Sequence, residues 1–266
     1  HEPYLSAGDM MLASGDYAGA IDMYSKAGEA GTVFIQKAYY EAAVAALNRQ
    51  DWAEASADFK AARDYLDARE RVNEPYLTAG DLLLQAEKWD EAISMYSQAG
   101  EAATEKIQRV HALHADVLLS AGAWEQASAE YAQAGSAFTE KIATPFMTAG
   151  DLALAEERYE DAIAWYARAG ETGAESLKKA WYTYAGSLTR AGELDAASHA
   201  YVMAGDYPDA MESIYKPYLL YAGGAGKAGE YVQAAPLYVE GEEKEKAKLG
   251  THPEAGGRRE EGGWEE

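Results

Sequence analysis

The chain has 266 residues, of which 48% are hydrophobic and 26% are charged, the proportions of a globular protein. It holds 23 Lys and Arg against 45 Asp and Glu. The resulting formal net charge of −22 argues against binding to nucleic-acid phosphates or to anionic lipid. The absence of Cys excludes disulfides and thiolate metal sites, but it fits a reducing and an oxidising compartment equally well, so the localisation stays open.

The residue types favour helices over sheets. Ala is abundant, β-branched residues are few, and 20 Tyr stand against 4 Phe. No apolar run approaches the roughly 18 residues that a membrane-spanning helix needs. We therefore predict an all-α protein that is soluble and does not insert into membranes.

Internal repeats define the order of the predicted helices. The segment 2–31 aligns with 74–103 at 17 of 30 positions, a third copy starts at Thr144, and a weaker fourth copy starts at Lys216. Related units containing QDWAEASADF, GAWEQASAEY and GELDAASHAY lie between these copies and halve the period. The residues that open the second helix of each unit recur at steps of 35 to 37: Tyr17, Trp52, Trp89, Trp124, Tyr159, Leu194 and Tyr231.

This period, with small and aromatic residues at fixed places, resembles the tetratricopeptide repeat (TPR) family, whose unit is about 34 residues of helix, turn and helix. In the first unit the matching residues are Tyr4, Ala7, Gly8, Gly15, Tyr17, Ala20, Tyr24 and Ala27. The resemblance implies a right-handed superhelical α-solenoid of about seven repeats over 2–241, with units near 2–35, 36–71, 74–106, 108–141, 144–176, 178–213 and 216–241, followed by a polar tail over 242–266. The Tyr-x-x-Ala-Gly pattern also resembles NSF-attachment adaptors and the helical arms of ciliary-transport and vesicle-coat subunits.

The resemblance further implies that the first helix of every unit lines a concave groove. Its ninth place reads Asp9, Val44, Asp81, Asp116, Asp151, Gly186 and Gly223. Its fifth and twelfth places contribute Leu5, Leu12, Tyr40, Leu47, Leu77, Leu84, Leu119, Met147, Leu154 and Tyr182. The predicted groove is apolar with an acidic stripe, which suits a basic or amphipathic protein segment. The alternative is that the Asp residues only solvate the helices of an acidic protein.

Other chemistries have weaker signals. His111 and His114 with Asp116 could hold a metal, but both histidines occupy helix-packing positions, and no metal or cofactor is predicted. Gly223, Gly224 and Gly226 lack the strand and the Lys-Ser/Thr of a nucleotide loop, so a degenerate repeat is the favoured interpretation. The Lys and Asn residues with which family members grip chaperone tails are missing, since Leu5, Asp9 and Glu41 occupy such places.

The leading hypothesis is a non-catalytic scaffold or adaptor that binds a protein or peptide partner. The alternative is a structural subunit that assembles through uncapped solenoid ends, by self-association or within a larger transport, coat or secretion-type complex. A helical toroid enzyme is a third possibility. Such an enzyme would need carboxylates that converge in a closed pocket, and we predict no catalytic residues.

Overall fold

The computed structural model describes residues 1–227, which divide between two compact bodies, one over His1–Ile142 and the other beginning at Ala143. The predicted tail over 242–266 and most of the predicted seventh unit lie outside the described residues. The first body contains α1 (Glu2–Ala13), α2 (Tyr17–Lys26), α3 (Thr32–Asn48), α4 (Trp52–Ala62), α5 (Ala68–Arg71), α6 (Glu74–Gln85), α7 (Trp89–Gln98), α8 (Thr104–Ser120) and α9 (Trp124–Gln133). The second contains α10 (Thr144–Ala155), α11 (Tyr159–Arg168), α12 (Ala174–Ala191), α13 (Leu194–Met203) and α14 (Lys216–Lys227).

Over residues 1–227 the secondary structure is entirely helical, as the composition predicts. Successive helices pack as the pairs α1–α2, α3–α4, α6–α7, α8–α9, α10–α11 and α12–α13. Each pair forms the helix-turn-helix of one repeat, and a short connection places its two helices side by side. The prediction of an all-α chain of helix-turn-helix repeats is confirmed.

The turn inside each pair is made by one residue in the left-handed region. The residues at this position have φ between 56° and 80°, and they are Gly15, Gln50, Glu87, Gly122, Glu157 and Gly192. The left-handed region costs a non-Gly residue energy that Gly avoids. Gln50, Glu87 and Glu157 adopt it because the packed helices on either side fix the turn.

Two kinds of connection alternate between the pairs. After α2, α7 and α11 the chain makes a 3₁₀ turn that starts at Gly28, Gly100 or Gly170. After α4 and α9 the connection is longer, and a Ser hydroxyl of the preceding helix anchors it. Ser56 Oγ donates to the carbonyl of Val72 and Ser128 Oγ donates to that of Ile142, both at 2.8 Å.

The core of each pair combines small and aromatic residues. In the third pair, Ala92 and Tyr96 of α7 are fully buried, and Tyr96 lies against Gly80 of α6. A Cβ atom at Gly80 would lie 2.4 Å from Cε1 of Tyr96, so only Gly lets the ring approach this closely. Gly8 and Gly150 stand in the same relation to Tyr24 and Tyr166.

Candidate partner-binding groove

Each of the four predicted groove carboxylates accepts a hydrogen bond from a buried Tyr. Tyr24 Oη donates to Asp9 at 2.8 Å, and Tyr96 Oη donates to Asp81 at 2.5 Å. The same bond joins Tyr131 to Asp116 and Tyr166 to Asp151. A buried hydroxyl is costly unless it has a partner, so these Asp residues have a structural role inside their own helix pair.

The second pair supports this interpretation because it lacks both members of the bond. Val44 stands at its ninth place, and Phe59 stands 15 residues later, where the other pairs carry the Tyr. Phe59 is fully buried, and Val44 packs against the same cluster. The spacing of 15 between Asp and Tyr is therefore a signal in the sequence that the prediction of a binding stripe overlooked.

In the third pair, the hydrogen bond changes the acidity of both Tyr96 and Asp81. Burial and the neighbouring Asp81 carboxylate raise the pKa of the Tyr96 hydroxyl well above its ordinary value. Burial by itself opposes ionisation of Asp81, but the hydrogen bonds from Lys106 and Tyr96 outweigh it and lower the pKa of Asp81. Asp81 is thus held as an ionised acceptor for the Tyr hydroxyl.

Within residues 1–227, lysine side chains reach two of the four carboxylates. Lys106 Nζ lies 2.7 Å from Asp81 Oδ1, and Lys141 Nζ lies 3.4 Å from Asp116 Oδ1. Each of these lysines comes 25 residues after its Asp, from the beginning of the next repeat or the turn before it. The acidic stripe is therefore partly neutralised in the first body, and its attraction for a basic partner stays a prediction.

The predicted apolar groove residues are mostly shared with the helix core. Leu12 is 7% exposed and belongs to the core itself. The other nine are half-buried: Leu5, Tyr40, Leu47, Leu77, Leu84, Leu119, Met147, Leu154 and Tyr182. Seven of these nine also pack against buried clusters: Leu5, Tyr40, Leu77, Leu84, Met147, Leu154 and Tyr182.

The residues that expose more apolar surface come one position after the Asp. Met10 is 74% exposed and Leu82 is 43% exposed, and Val117 and Leu152 are similarly open to solvent. These tenth-place residues were not among those predicted for the groove. Their signal in the sequence is an Asp followed at once by Met, Leu or Val in the middle of a first helix.

A pocket of about 600 Å³ opens between two of the first helices of the first body. We call it the α6–α8 pocket, and its walls are formed by Leu84, Gln85, Glu87, Trp89, Arg109, Leu113, Asp116, Val117 and Ser120. Two of these residues, Leu84 and Asp116, were predicted for the groove. The structure brings them together with the exposed side chains of Leu113 and Val117.

Six consecutive helix pairs in residues 1–227 share this arrangement of small residues, buried aromatics and first-helix side chains. The fold is a TPR-like α-solenoid. No protein-family model matches the sequence, and no curated protein does.

Solved structures similar to this TPR-like chain cover most of its length at low identity. The C-terminal part of a TPR repeat-containing protein from Cytophaga hutchinsonii is 16% identical, with 92% of each chain covered and a TM-score of 0.23. The TPR domain of P58(IPK) is 15% identical over 92% of this chain and 84% of that chain, with a TM-score of 0.26. Yeast Tom70 is 16% identical over 88% of this chain and 46% of its own, with a TM-score of 0.20. These scores are low, so the fold assignment rests on the helix pairs of the chain itself.

The two histidines that were considered as metal ligands lie near one carboxylate of the neighbouring helix. His111 Nδ1 lies 2.7 Å from Glu130 of α9, and His114 Nδ1 lies 3.4 Å from the same carboxylate. The His114 ring also stacks on Trp89 with centroids 5.3 Å apart. No group of three or more potential ligands is arranged to hold a metal among the described residues.

The glycine-rich segment near the end of the described region is helical. Gly223, Gly224 and Gly226 all lie within α14 and do not form a loop. Over the described part of the chain, none of the helices combines the length and apolar character needed to cross a bilayer.

Proposed function

We propose that the protein is a non-catalytic scaffold that holds a segment of a protein partner against the first helices of its repeats. The observation that supports this most directly is the α6–α8 pocket, which is lined mainly by apolar atoms and is large enough for one aromatic or branched side chain. Leu113 and Val117 offer exposed apolar surface at its wall, which a partner side chain would bury.

The charges around the pocket favour an amphipathic partner. Arg109 lines it together with Glu87 and Asp116, so both signs surround the apolar wall. Asp116 is also close to Lys141. A partner segment with an apolar anchor and polar flanks of both signs would match this surface, with the anchor supplying most of the affinity.

Charge substitution in the pocket tests the proposal. Val117→Glu places a carboxylate in the apolar wall, and proteins that co-purify with the unmodified chain should then be lost. Leu66→Glu is the matched control because Leu66 is 73% exposed and does not line the pocket. A partner, identified by mass spectrometry and confirmed with purified components, that binds both variants equally would contradict the groove.

A second candidate function is assembly through the outer face of the first pair. Pro3 is exposed and Tyr4 is 46% exposed, whereas the equivalent Pro75 and Pro145 are fully buried. Within residues 1–227, the surface that is covered at Pro75 and Pro145 is exposed at Pro3. Sedimentation of the purified chain tests this: self-association should weaken in Tyr4→Glu, and a monomer mass independent of concentration would count against it.

A further inference from the structure

A cavity of about 590 Å³ lies at the edge of the first two pairs, where the α1–α2 turn meets α3 and α4. We call it the α2–α4 cavity. It shares no residue with the α6–α8 pocket. Its existence and its use therefore do not depend on the function proposed above.

The walls of this cavity combine aromatic rings with an excess of negative charge. Tyr17 and Tyr39 contribute the rings. Among the described residues that line the cavity, Asp16, Glu54 and Asp58 contribute three carboxylates, and Arg49 contributes the one cation.

The carboxylates are not satisfied to the same extent. One oxygen of Asp16 accepts the backbone N–H of Gly19 at 2.9 Å, and Glu54 lies 3.3 Å from Arg49. Arg49 also lies 3.0 Å from Asp51, so its guanidinium is shared. Asp58 has neither a hydrogen bond nor an ion pair within the part of the chain that the structure describes.

The acidity of Asp58 reflects this position. Burial raises its pKa above the ordinary value, the charge of Glu54 raises it further, and Arg49 offsets only part of the increase. A carboxylate in this condition gains from any added cation, because the cation lowers the cost of keeping it ionised.

We propose that the α2–α4 cavity binds an arginine side chain of a basic segment on a partner protein. A guanidinium is planar and weakly hydrated, so it can lie against a Tyr ring while its N–H groups donate to two carboxylates. Asp58 and Glu54 are the acceptors and Tyr17 and Tyr39 are the ring surfaces. The net charge of −22 favours the approach of such a basic segment.

The groove and the cavity then differ in what they recognise. In the groove, every predicted carboxylate already accepts a Tyr hydroxyl and two have lysine neighbours. In the cavity, Asp58 has no such partner among the described residues. In this proposal, basic partners bind at the α2–α4 cavity and not at the α6–α8 pocket.

The test is a binding titration followed by fluorescence anisotropy, with a labelled peptide of alternating Gly and Arg at low ionic strength. Asp58→Asn should weaken binding about fivefold, the effect of removing one partly desolvated charge pair. Glu29→Gln is the matched control, since it removes the same charge from an exposed turn that does not line the cavity, and it should change affinity less than about twofold. The neutralised Asp58 variant should fold, because the substitution removes repulsion from Glu54.

Two further peptides separate recognition from general attraction. A peptide with citrulline in place of Arg keeps the planar shape without the charge, and its binding should be lost. A peptide with Lys in place of Arg should bind several-fold more weakly, because an ammonium cannot stack and donate in the same plane. Equal losses in Asp58→Asn and Glu29→Gln, equal affinity for the Lys peptide, or no binding of the Arg peptide would each overturn the proposal.

Discussion

The second and third helix pairs solve one packing problem in two ways. In α6–α7, the buried Tyr96 carries a hydroxyl, and it donates a hydrogen bond to Asp81 of the first helix. In α3–α4, Phe59 fills the equivalent space without a hydroxyl, and Val44 replaces the carboxylate. Between these two pairs the ring and the acceptor change together, which supports a structural role for Asp81; the sixth pair differs from both, because it keeps the buried Tyr201 but has Gly186 at its ninth place.

This comparison alters how the acidic first-helix residues are understood. A carboxylate that accepts a buried hydroxyl must stay in place for the pair to remain packed, so a partner can reach only its remaining lone pairs. In the repeats that carry Asp, the same carboxylate therefore stabilises the helix pair and would make any contact with a partner. Charge reversal at Asp81 or Asp116 would unsettle the helix pair as well as the groove.

The largest effect that we expect follows from the close contact between Gly80 and Tyr96. Gly80→Ala should lower the free energy of unfolding by about 2 kcal/mol, because the new methyl group meets the ring at 2.4 Å and overpacking outweighs the gain in helix propensity. Chemical denaturation followed by circular dichroism measures the change. Gly186→Ala is the control: Gly186 is also helical but has nothing within 4 Å of a Cβ, so this substitution should stabilise the chain by about 0.5 kcal/mol. Equal effects at the two sites would show that the ring contact does not matter.

The repeats could be predicted from the sequence because helix propensity and period act locally. Ala20 and Tyr24 recur as Ala92 and Tyr96, and the structure buries all four. The role of the Asp residues was harder to predict because Asp9 and Tyr24 belong to different helices. Only the packing of α1 on α2 shows that the ring of Tyr24 brings its hydroxyl to that carboxylate.

The two sites that we propose were also beyond a sequence pattern. The walls of the α6–α8 pocket come from neighbouring repeats. Leu and Val occur both in the core and at the surface, so the residue type alone does not predict which side chains remain exposed. Leu12 and Leu113 illustrate this: Leu12 is buried in the first pair, whereas Leu113 is 36% exposed beside the pocket.

Moving the hydroxyl into the second pair gives the next largest effect. Phe59→Tyr should destabilise the chain by about 1.5 kcal/mol, because the ring is fully buried and Val44 stands where the third pair carries the acceptor Asp81. Adding Val44→Asp should recover most of this loss, and a double-mutant cycle measures the coupling. Additive losses from the two substitutions would contradict the pairing of ring and carboxylate.

The reverse change in the third pair should have a smaller effect. Tyr96→Phe removes one hydrogen bond, but Asp81 keeps Lys106 as a partner, so we expect a loss of about 1 kcal/mol. Tyr65→Phe is a suitable control because Tyr65 is only half-buried and makes no hydrogen bond through its hydroxyl in the described structure. The free energy of unfolding is measured by thermal or urea denaturation. An equally small change in both variants would contradict a structural role for Asp81.

The smallest expected effect is a pH dependence that separates the two kinds of pair. Burial, followed by the adjacent carboxylates, raises the pKa of Tyr24, Tyr96, Tyr131 and Tyr166 above the ordinary tyrosine value near 10. The folded state therefore holds these protons more tightly than the unfolded state. The associated stability is complete below pH 10 and is lost as the pH rises towards the folded-state pKa values. In denaturation curves between pH 9 and about pH 11, Tyr96→Phe should reduce the alkaline decline relative to the unmodified chain. An unchanged decline in this variant would show that the pH dependence does not come from the Asp81–Tyr96 hydrogen bond.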